Sequence, residues 1–492
     1  MYYADVGGAL YFASELAPLM TCAALPRRID TRAVQTYLQT KTIPAPRTIY
    51  QDVHKLLPGH RLEAQHGRLT VSQYWDVRFE PDGSRSAEQW ADEIRALIDD
   101  SVRRQLMSDV PLGAFLSGGV DSTTVVTSMV RQSNAAVKTF SIGLKDHAYD
   151  ESRFYKLVAQ RLGVEHHEFV FEPDLLEIIP KLMRHFGEPC AIGSALPLYY
   201  LSRLARQHVT VALSGDGGDE IFAGYNVYNY VNWVRLADRL AGWLLASDWG
   251  TALTRRWELP TTTRLGNALR RLRKVQRLIR LPASHRMALI GNLDDFGTPL
   301  LADSPDGLAP PEYVAAFERA QRTGDWLAPF LYADQKVLLP DEMFVKLDRM
   351  TMANSMEGRV PLCDYRIVEL AARIPSRLKL PRGRVKGLLK RAVHNRLPRE
   401  VLKRRKVGFR IPLNDWFRGP LRGMALDLLT DASFRQAGLF NHPAVAALVE
   451  SHLAGRGHHG NEILALLMFE VWRRDLHARA LPGPNPLVSR CA

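Results

Sequence analysis

The stretch Ser117-Gly118-Gly119-Val120-Asp121-Ser122 decides the fold class of this 492-residue sequence. The apolar run at residues 112–116 before it predicts a short strand, and residues 123–130 after it predict a helix. Backbone N–H groups converge where a helix begins, and the helix dipole there favours an anion. Glycine lets the backbone approach phosphate oxygens closely, and the two serines add hydroxyl donors. The turn therefore predicts a pyrophosphate cradle in which Asp121 holds a Mg²⁺ ion.

The order of strand, turn and helix repeats on the C-terminal side of this turn. Residues 137–143, 167–171 and 209–214 predict further strands, and helical segments separate them. Strands that alternate with helices predict an α/β fold with a doubly wound parallel sheet. From about residue 226 onward strand signals are few, so we expect a mainly helical C-terminal part that packs onto the sheet.

The first 78 residues differ from the rest of the chain. Short β-rich runs alternate there with turn signals such as His66-Gly67, which predicts a small and mostly antiparallel segment. A linker follows, and Ser86 with Gln89 predicts a capping box at the start of a long helix. The sequence therefore predicts two parts, residues 1–78 and residues 86–480.

A second glycine loop, Ser214-Gly215-Asp216-Gly217-Gly218-Asp219-Glu220, ends a predicted strand of the same unit. Its carboxylates should face the same crevice as the first loop, because the carboxyl ends of parallel strands share one edge. Three acids in seven residues repel one another unless a cation offsets them, which favours a shared Mg²⁺. The alternative interpretation is a solvated acidic turn.

Composition limits the class of protein and its partners. The chain is 46% hydrophobic and 24% charged, which predicts a soluble globular protein, and its four cysteines lie far apart, which fits a reducing cytoplasm. Lys and Arg exceed Asp and Glu by 13, so DNA, RNA or a nucleoside triphosphate are all suitable partners. Much of this excess lies in residues 255–286, whose spacing predicts an amphipathic helix with a solvated basic face.

The two loops together resemble the PP-loop ATP-pyrophosphatase family, and the resemblance narrows to the asparagine synthetases and their relatives. The matching segments, in chain order, are residues 117–122, 140–143, 149–152, 214–220, 346–353, 357–361, 386–391 and 406–409. Residues 10–16 and 57–60 look like the last part of that family's N-terminal glutaminase domain, an Ntn-type fold. The resemblance therefore covers nearly the whole chain.

The resemblance implies a reaction, two cofactors and a set of site residues. ATP activates the β-carboxylate of aspartate as an acyl adenylate, pyrophosphate leaves, and ammonia displaces AMP to give asparagine. The implied ATP-binding residues are Leu116, Ser117, Gly118, Gly119, Asp121, Ser122, Ile142, Ser214 and Gly215. Asp121 and Asp219 are the implied Mg²⁺ ligands, and Asp216 and Lys386 the implied catalytic residues. Glu357 and Arg359 are substrate-pocket candidates, although a structural ion pair explains them equally well.

Two departures from the family pattern qualify this expectation. Many relatives carry Asp-Ser-Ser where this sequence has Ile192-Gly193-Ser194, which leaves the acceptor carboxylate open. Family glutaminase domains use an N-terminal cysteine, whereas Tyr2 follows Met1 here and Cys22 comes too late in the segment. We therefore expect a start downstream of the true one or a truncated gene, ammonia as the nitrogen source unless a glutaminase subunit supplies it, and a weakly stable first segment.

Several alternatives remain open at this point. The chain could amidate or cyclise another carboxylate, such as a sugar acid, a peptide or a β-lactam precursor. It could instead be a tRNA-modifying PP-loop enzyme, although no RNA-recognition module is visible, or a catalytically inactive scaffold. We expect a cytoplasmic protein without a membrane partner, and a homodimer is compatible with the sequence.

Overall fold

The computed structural model describes residues 1–143, 150–245, 247, 264–286, 300–302, 309–404 and 411–479. Four features that the sequence analysis used lie wholly or partly outside these ranges. They are Tyr149 of the 149–152 segment, the 406–409 segment, residues 255–263 of the basic stretch and the domain boundary at residue 480.

The N-terminal part is antiparallel, as the sequence predicts. Its strands are β1 (Tyr2–Val6), β2 (Ala9–Ala13), β3 (His54–Lys55), β4 (His60–Gln65) and β5 (Arg68–Gln73). β1 lies between β2 and β3 in one sheet, and β4 pairs with β5 in a separate hairpin. The hairpin turns at His66-Gly67, where both residues have positive φ, as a two-residue hairpin turn requires.

A five-stranded parallel sheet forms the centre of the molecule and confirms the predicted α/β class. Its strands are β6 (Leu112–Phe115), β7 (Lys138–Gly143), β8 (Glu165–Val170), β9 (Val211–Leu213) and β10 (Glu357–Arg359). The order across the sheet is β10-β9-β6-β7-β8, and every neighbouring pair runs parallel. β6 and β9 are direct neighbours, so the two glycine loops that follow them emerge side by side. The sequence analysis did not predict β10, a three-residue edge strand.

Helices surround this sheet and make up most of the chain after β9. The α-helices are Leu16–Leu19, Thr31–Thr40, Ala87–Gln105, Val120–Gln132, Ser152–Leu162, Leu175–Phe186, Ala195–Ala205, Gly218–Phe222, Asn226–Leu245, Arg264–Ile279, Pro311–Ala320, Ala328–Ala333, Val345–Met352, Tyr365–Arg373, Ser376–Lys379, Gly387–Ala392, Arg399–Lys403, Leu413–Arg418, Arg422–Leu429, Ala432–Gln436, His442–Leu453 and Gly460–Arg479. A π-helical segment, Asp334–Phe344, joins two of them, and short 3₁₀ turns lie at Gln321–Thr323, Pro361–Cys363 and Pro381–Gly383. Among the described residues, none of the helices is both long enough and apolar enough to cross a bilayer.

The helix that follows the linker forms for the reasons that the sequence indicates. Ser86 accepts a hydrogen bond from the Gln89 amide, and the Gln89 side chain accepts one from the Ser86 amide. This capping box satisfies two amides that the first helical turn leaves without partners. Trp90, Ile94 and Ile98 lie on one buried face, which fixes the helix against the sheet domain.

The N-terminal segment shares a hydrophobic core with the rest of the chain. Tyr37 is fully buried, and its hydroxyl donates to the Ala465 carbonyl at 2.7 Å. The rings of Tyr50 and Trp472 lie 5.8 Å apart in the same core. Strands β1 and β3 therefore do not present the exposed apolar faces that the sequence analysis expected, because C-terminal helices cover them. Only the β4–β5 hairpin stands largely in solvent.

The basic helix is present where the described residues reach it. Arg264–Ile279 is helical, and Leu278 and Ile279 pack with Val234 of the neighbouring helix in a small separate cluster. Its apolar side is used for this packing, as the amphipathic pattern predicts.

Candidate active site

The first glycine loop is braced by its own serine side chains. The Leu116 amide donates to the Phe140 carbonyl at 2.9 Å and carries the sheet pairing to the start of the loop. The Ser122 hydroxyl accepts from the Ser117 amide at 3.2 Å and lies 3.0 Å from the Ser117 hydroxyl. The Ser117 hydroxyl also accepts from the Gly119 amide at 3.3 Å. These contacts hold the loop open at the N-terminus of the helix Val120–Gln132, where an anion is favoured.

Two glycines are required because backbone segments meet closely. Gly118 has φ +68°, and a Cβ there would lie 2.6 Å from the Tyr155 amide nitrogen. A Cβ on Gly215 would lie 2.5 Å from the Ser122 amide nitrogen. The second loop thus packs directly on the first, and any side chain at Gly215 would force them apart.

Lys386 joins the two loops through their carboxylates. Its Nζ contacts Asp121 Oδ2 and lies 2.7 Å from Asp219 Oδ1. The three side chains are 4%, 12% and 12% exposed, so the ammonium is held in a largely desolvated position. The backbone of Lys386 is left-handed, with φ 55°, and its amide donates to the Ala223 carbonyl. Strained backbone of this kind persists only where the surrounding structure enforces it.

The same two carboxylates are suited to a Mg²⁺ ion that accompanies phosphates. Mg²⁺ is usually bound by one or two carboxylates together with substrate phosphates and waters. Asp121 and Asp219 already converge on one cation, the Lys386 ammonium. Within the described residues, no group of three or more His, Cys, Asp or Glu side chains forms a metal site by itself.

Asp216 forms a second buried pair that the sequence analysis did not anticipate. Lys346 Nζ donates to Asp216 Oδ1 at 3.1 Å, and the Ser214 hydroxyl donates to Oδ2 at 2.5 Å. The Lys346 side chain is only 10% exposed. Lys346 belongs to a segment that resembles the family, but the sequence alone gave it no role, because its partner lies 130 residues away.

Glu220 completes the acidic loop in a different way. It is fully buried, and the Tyr225 hydroxyl donates to its Oε1 at 2.5 Å. Burial, and then the nearby Asp219 charge, raise the pKa of Glu220 to about 8. The loop therefore carries two charged acids and one neutral acid at pH 7, and lysines offset the charged ones.

A cavity of about 380 Å³ opens between these loops. The sequence-predicted residues that line it are Leu116, Ser117, Gly119, Asp121, Ser122, Ile142, Ser214, Gly215, Asp216, Asp219 and Lys386. Gly118 supports the loop from behind, against the backbone of Tyr155. The opposite wall contains Ser194 with the apolar side chains of Pro197, Leu198 and Leu201.

Glu357 and Arg359 are not among the residues that line this cavity. The Arg359 guanidinium lies 2.6 Å from Glu357 Oε1 and donates to the carbonyls of Gln105 and Met107. The pair therefore fastens β10 to the C-terminal end of a helix, where a cation is favoured. Of the two interpretations left open by the sequence, the structural ion pair describes these contacts, and the substrate-pocket assignment is corrected.

Arg404 is a site residue that the sequence analysis missed. Its guanidinium contacts Glu151, donates to the Ser117 carbonyl at 3.3 Å and lies 4.2 Å from the centre of the Phe154 ring. Burial lowers the pKa of Arg404 from its ordinary value. No local pattern marks this residue, since its partners come from two other elements.

Comparison with known proteins agrees with this arrangement. The asparagine synthase family profile matches residues 93–474, and a glutamine amidotransferase domain profile matches residues 1–75. Asparagine synthetase (glutamine-hydrolyzing) 1 of Bacillus subtilis is 30% identical over 98% of this chain and 74% of its own length. A putative asparagine synthetase (glutamine-hydrolyzing) of Mycobacterium bovis is 31% identical over 96% of this chain and 72% of its own. Amidase chyE of Penicillium rubens is 26% identical over 92% and 71%.

Proposed function

The chain belongs to the asparagine synthase family, and from this membership we propose that it is an ATP-dependent ligase that forms an amide from a carboxylate and ammonia. The observation that carries the proposal is the Lys386 ammonium, which the carboxylates of both glycine loops hold at the N-terminus of a helix. This combination of fixed cation, helix N-terminus and paired carboxylates is suited to a magnesium-bound triphosphate.

In this proposal the first loop binds ATP. The Ser117 and Ser122 hydroxyls and the loop amides donate to phosphate oxygens, while Leu116 and Ile142 provide the apolar contacts of the nucleotide. Asp121 and Asp219 hold the Mg²⁺ ion that neutralises phosphate charge. Lys386 stabilises the negative charge that develops on the α-phosphate and on the bridging oxygen, an electrostatic role for which a fixed ammonium is suited.

The reaction proceeds in two substitutions. An oxygen of the acceptor carboxylate attacks the α-phosphorus, and the bond to the β-phosphate oxygen breaks, which releases pyrophosphate. Ammonia then attacks the acyl carbon of the adenylate, AMP leaves with the bridging oxygen, and a proton departs from the nitrogen. Asp216, fixed by Lys346 and Ser214, is the carboxylate that supports formation of the adenylate.

Aspartate is the proposed acceptor, with asparagine as the product. A related amidation of a different carboxylate is the second candidate, because Ile192-Gly193-Ser194 departs from the family pattern and the wall beside Ser194 is apolar. Both candidates use the same adenylating residues and differ only in the acceptor.

The test is exchange of labelled pyrophosphate into ATP by the purified chain, with Mg²⁺ and aspartate and without ammonium. We expect exchange that depends on aspartate, and asparagine with AMP once ammonium is added. Sugar acids, peptides and β-lactam precursors are the parallel acceptors, and exchange with one of these but not with aspartate would establish the second candidate. A chain that binds ATP but supports no exchange with any carboxylate would contradict the proposed ligase.

A further inference from the structure

A buried ionic cluster lies between the N-terminal segment and the ligase part. Lys55 of β3 points its Nζ at Glu188 Oε1, 2.6 Å away, and at Asp341 Oδ1, 3.5 Å away. It also donates to the Ile43 carbonyl. All three charged side chains are less than a tenth exposed, so their positions are set by one another and not by solvent.

The second oxygen of each carboxylate binds the backbone of the N-terminal segment. Glu188 Oε2 accepts from the Ile49 amide at 3.2 Å, and Asp341 Oδ2 accepts from the Ala45 amide at 2.9 Å. Burial alone lowers the pKa of Lys55, but the charges of Glu188 and Asp341 outweigh it and raise the pKa above its ordinary value. Lys55 therefore stays charged, and a network satisfied in this way is geometrically demanding.

Each carboxylate begins a short route to the cavity. Glu188 starts the segment 188–194, whose Ala191 amide donates to the Lys41 carbonyl and whose last residue, Ser194, lines the cavity. Asp341 lies in the π-helical segment, five residues before Lys346 along continuous helical backbone. At the ordinary helical rise that separation is about 7.5 Å. Lys346 holds Asp216 and also lines the cavity.

We propose that Lys55 is a positioning residue of the ligase cavity. Through Glu188 and Asp341 it fixes the two segments that present Ser194 and Lys346, and so the N-terminal segment shapes the side of the cavity opposite the first glycine loop. The inference rests on the proposed function, in which Lys346 orients Asp216 for adenylation of the acceptor. The nucleotide side depends on β6 and its loop, which the cluster does not touch.

A second ion pair across the same boundary provides a matched control. Arg47 Nε lies 3.2 Å from Glu312 Oε1, in the loop that also contains Ala45 and Ile49. Neither Arg47 nor Glu312 lines the cavity or lies in the segments 188–194 and 341–346. Loss of this pair therefore weakens attachment of the N-terminal segment without releasing either route.

The experiment compares Lys55→Met, Lys55→Arg and Arg47→Met in the full chain, first by hydrogen exchange. Lys55→Met should lose amide protection in residues 188–196 and 341–348, while Arg47→Met should keep it there. The triple variant Lys55→Met, Glu188→Gln and Asp341→Asn replaces Lys55→Met if the single change does not fold. Protection in both segments equal to that of Arg47→Met would overturn the proposal.

The second readout separates positioning from stability. In pyrophosphate exchange, measured where all variants are folded, Lys55→Met should raise the KM of the acceptor about tenfold and leave the KM of ATP unchanged, with partial rescue by Lys55→Arg. Equal changes in both constants, or none, would overturn the proposal. If the wild-type chain shows no exchange with any acceptor, the proposed ligase fails, and the hydrogen-exchange comparison still decides the role of Lys55.

Discussion

Lys386 is the residue on which the two glycine loops depend most directly. It is buried with Asp121 and Asp219, and two carboxylates with one ammonium leave a net charge of −1 at the cluster. The sequence analysis treated this lysine as a ligand of phosphate alone. The structure gives it a second role, because the two acids repel each other when it is absent.

Removal of Lys386 should therefore lower both activity and stability. We expect Lys386→Ala to reduce pyrophosphate exchange by about 10²- to 10³-fold, the usual loss for one electrostatic group. It should also destabilise the fold by about 3–5 kcal/mol, because it leaves buried carboxylates without their cation. Exchange assays and urea denaturation measure the two effects.

The controls for this prediction come from the same cluster and the same helix. Asp121→Asn should lose a similar factor in exchange with a smaller loss of stability, since it removes one of two like charges. Arg391→Ala changes an exposed cation on the same helix, paired only with Glu88 at 2.7 Å, and should alter neither property. Normal exchange in Lys386→Ala would remove that residue from the site.

At the scale of elements, the two glycine loops work as one unit because β6 and β9 are neighbours. Gly215 lies against the backbone of Ser122, and Gly118 lies against the backbone of Tyr155. The first loop is thus held between the second loop and the helix Ser152–Leu162. Its shape is set by packing as well as by its own serine hydrogen bonds.

Adjacent glycines of this loop should respond differently to alanine. We expect Gly118→Ala to destabilise the chain by about 1–3 kcal/mol, because φ +68° is unfavourable for a residue with a Cβ. The added carbon would also overlap the Tyr155 backbone. Gly119→Ala is the matched control, since its Cβ would meet only the Ser117 hydroxyl, at 3.3 Å. Denaturation of the two variants side by side measures the difference, and equal stability would contradict the argument.

The π-helical segment begins with a buried acid that makes stability depend on pH. Asp334 accepts from the Tyr228 hydroxyl at 2.5 Å and from the Tyr313 hydroxyl at 3.0 Å. Burial raises the pKa of Asp334 from 3.8 to about 7, although both hydrogen bonds act in the opposite direction. Between those values the folded chain holds a proton that the unfolded chain has lost, so stability should fall as the pH rises through this window.

Asp334→Asn should remove this contribution. We expect the melting temperature of the wild type to decrease more steeply from pH 4.5 to pH 7 than that of the variant. Asp92→Asn, at a carboxylate that is 61% exposed, serves as the control and should keep the slope of the wild type. Parallel curves for Asp334→Asn and the wild type would show that the proton is not held at this carboxylate.

At the scale of the whole molecule, the N-terminal segment is part of the ligase core rather than an appended remnant. Tyr37, Tyr50 and the Lys55 cluster all contact elements of the ligase part. The sequence analysis expected these first residues to be the least stable portion of the chain. Their burial argues against that for residues 1–55 and limits it to the exposed β4–β5 hairpin.

The nitrogen donor is a property of the whole chain that can be tested directly. The amidotransferase match, residues 1–75, contains one cysteine, Cys22, in a segment where the family places no nucleophile. We expect the 492-residue chain, purified alone, to form its amide from ammonium and not from glutamine. The assay follows amide product and glutamate, with Asp121→Asn as the blank. Release of glutamate from glutamine by the purified chain would contradict this expectation.

Local sequence patterns determined the fold class and the location of the phosphate loop. The segment 117–122 between an apolar strand and a helix, the capping box at Ser86 and the turn at His66-Gly67 each act within a few residues. Periodicity and turn chemistry are local properties, so a sequence can display them before any tertiary contact is known. These features appear in the structure where they were expected.

Tertiary structure alone decided which charged side chains meet. The pairs Lys346 with Asp216 and Arg404 with Glu151 join residues more than a hundred positions apart, and no local pattern records such a pairing. The same holds for Arg359, which the fold turns towards a helix end and away from the cavity. Long-range side-chain contacts depend on how elements pack, because the charge that a side chain faces belongs to another element and is fixed only when the core is assembled.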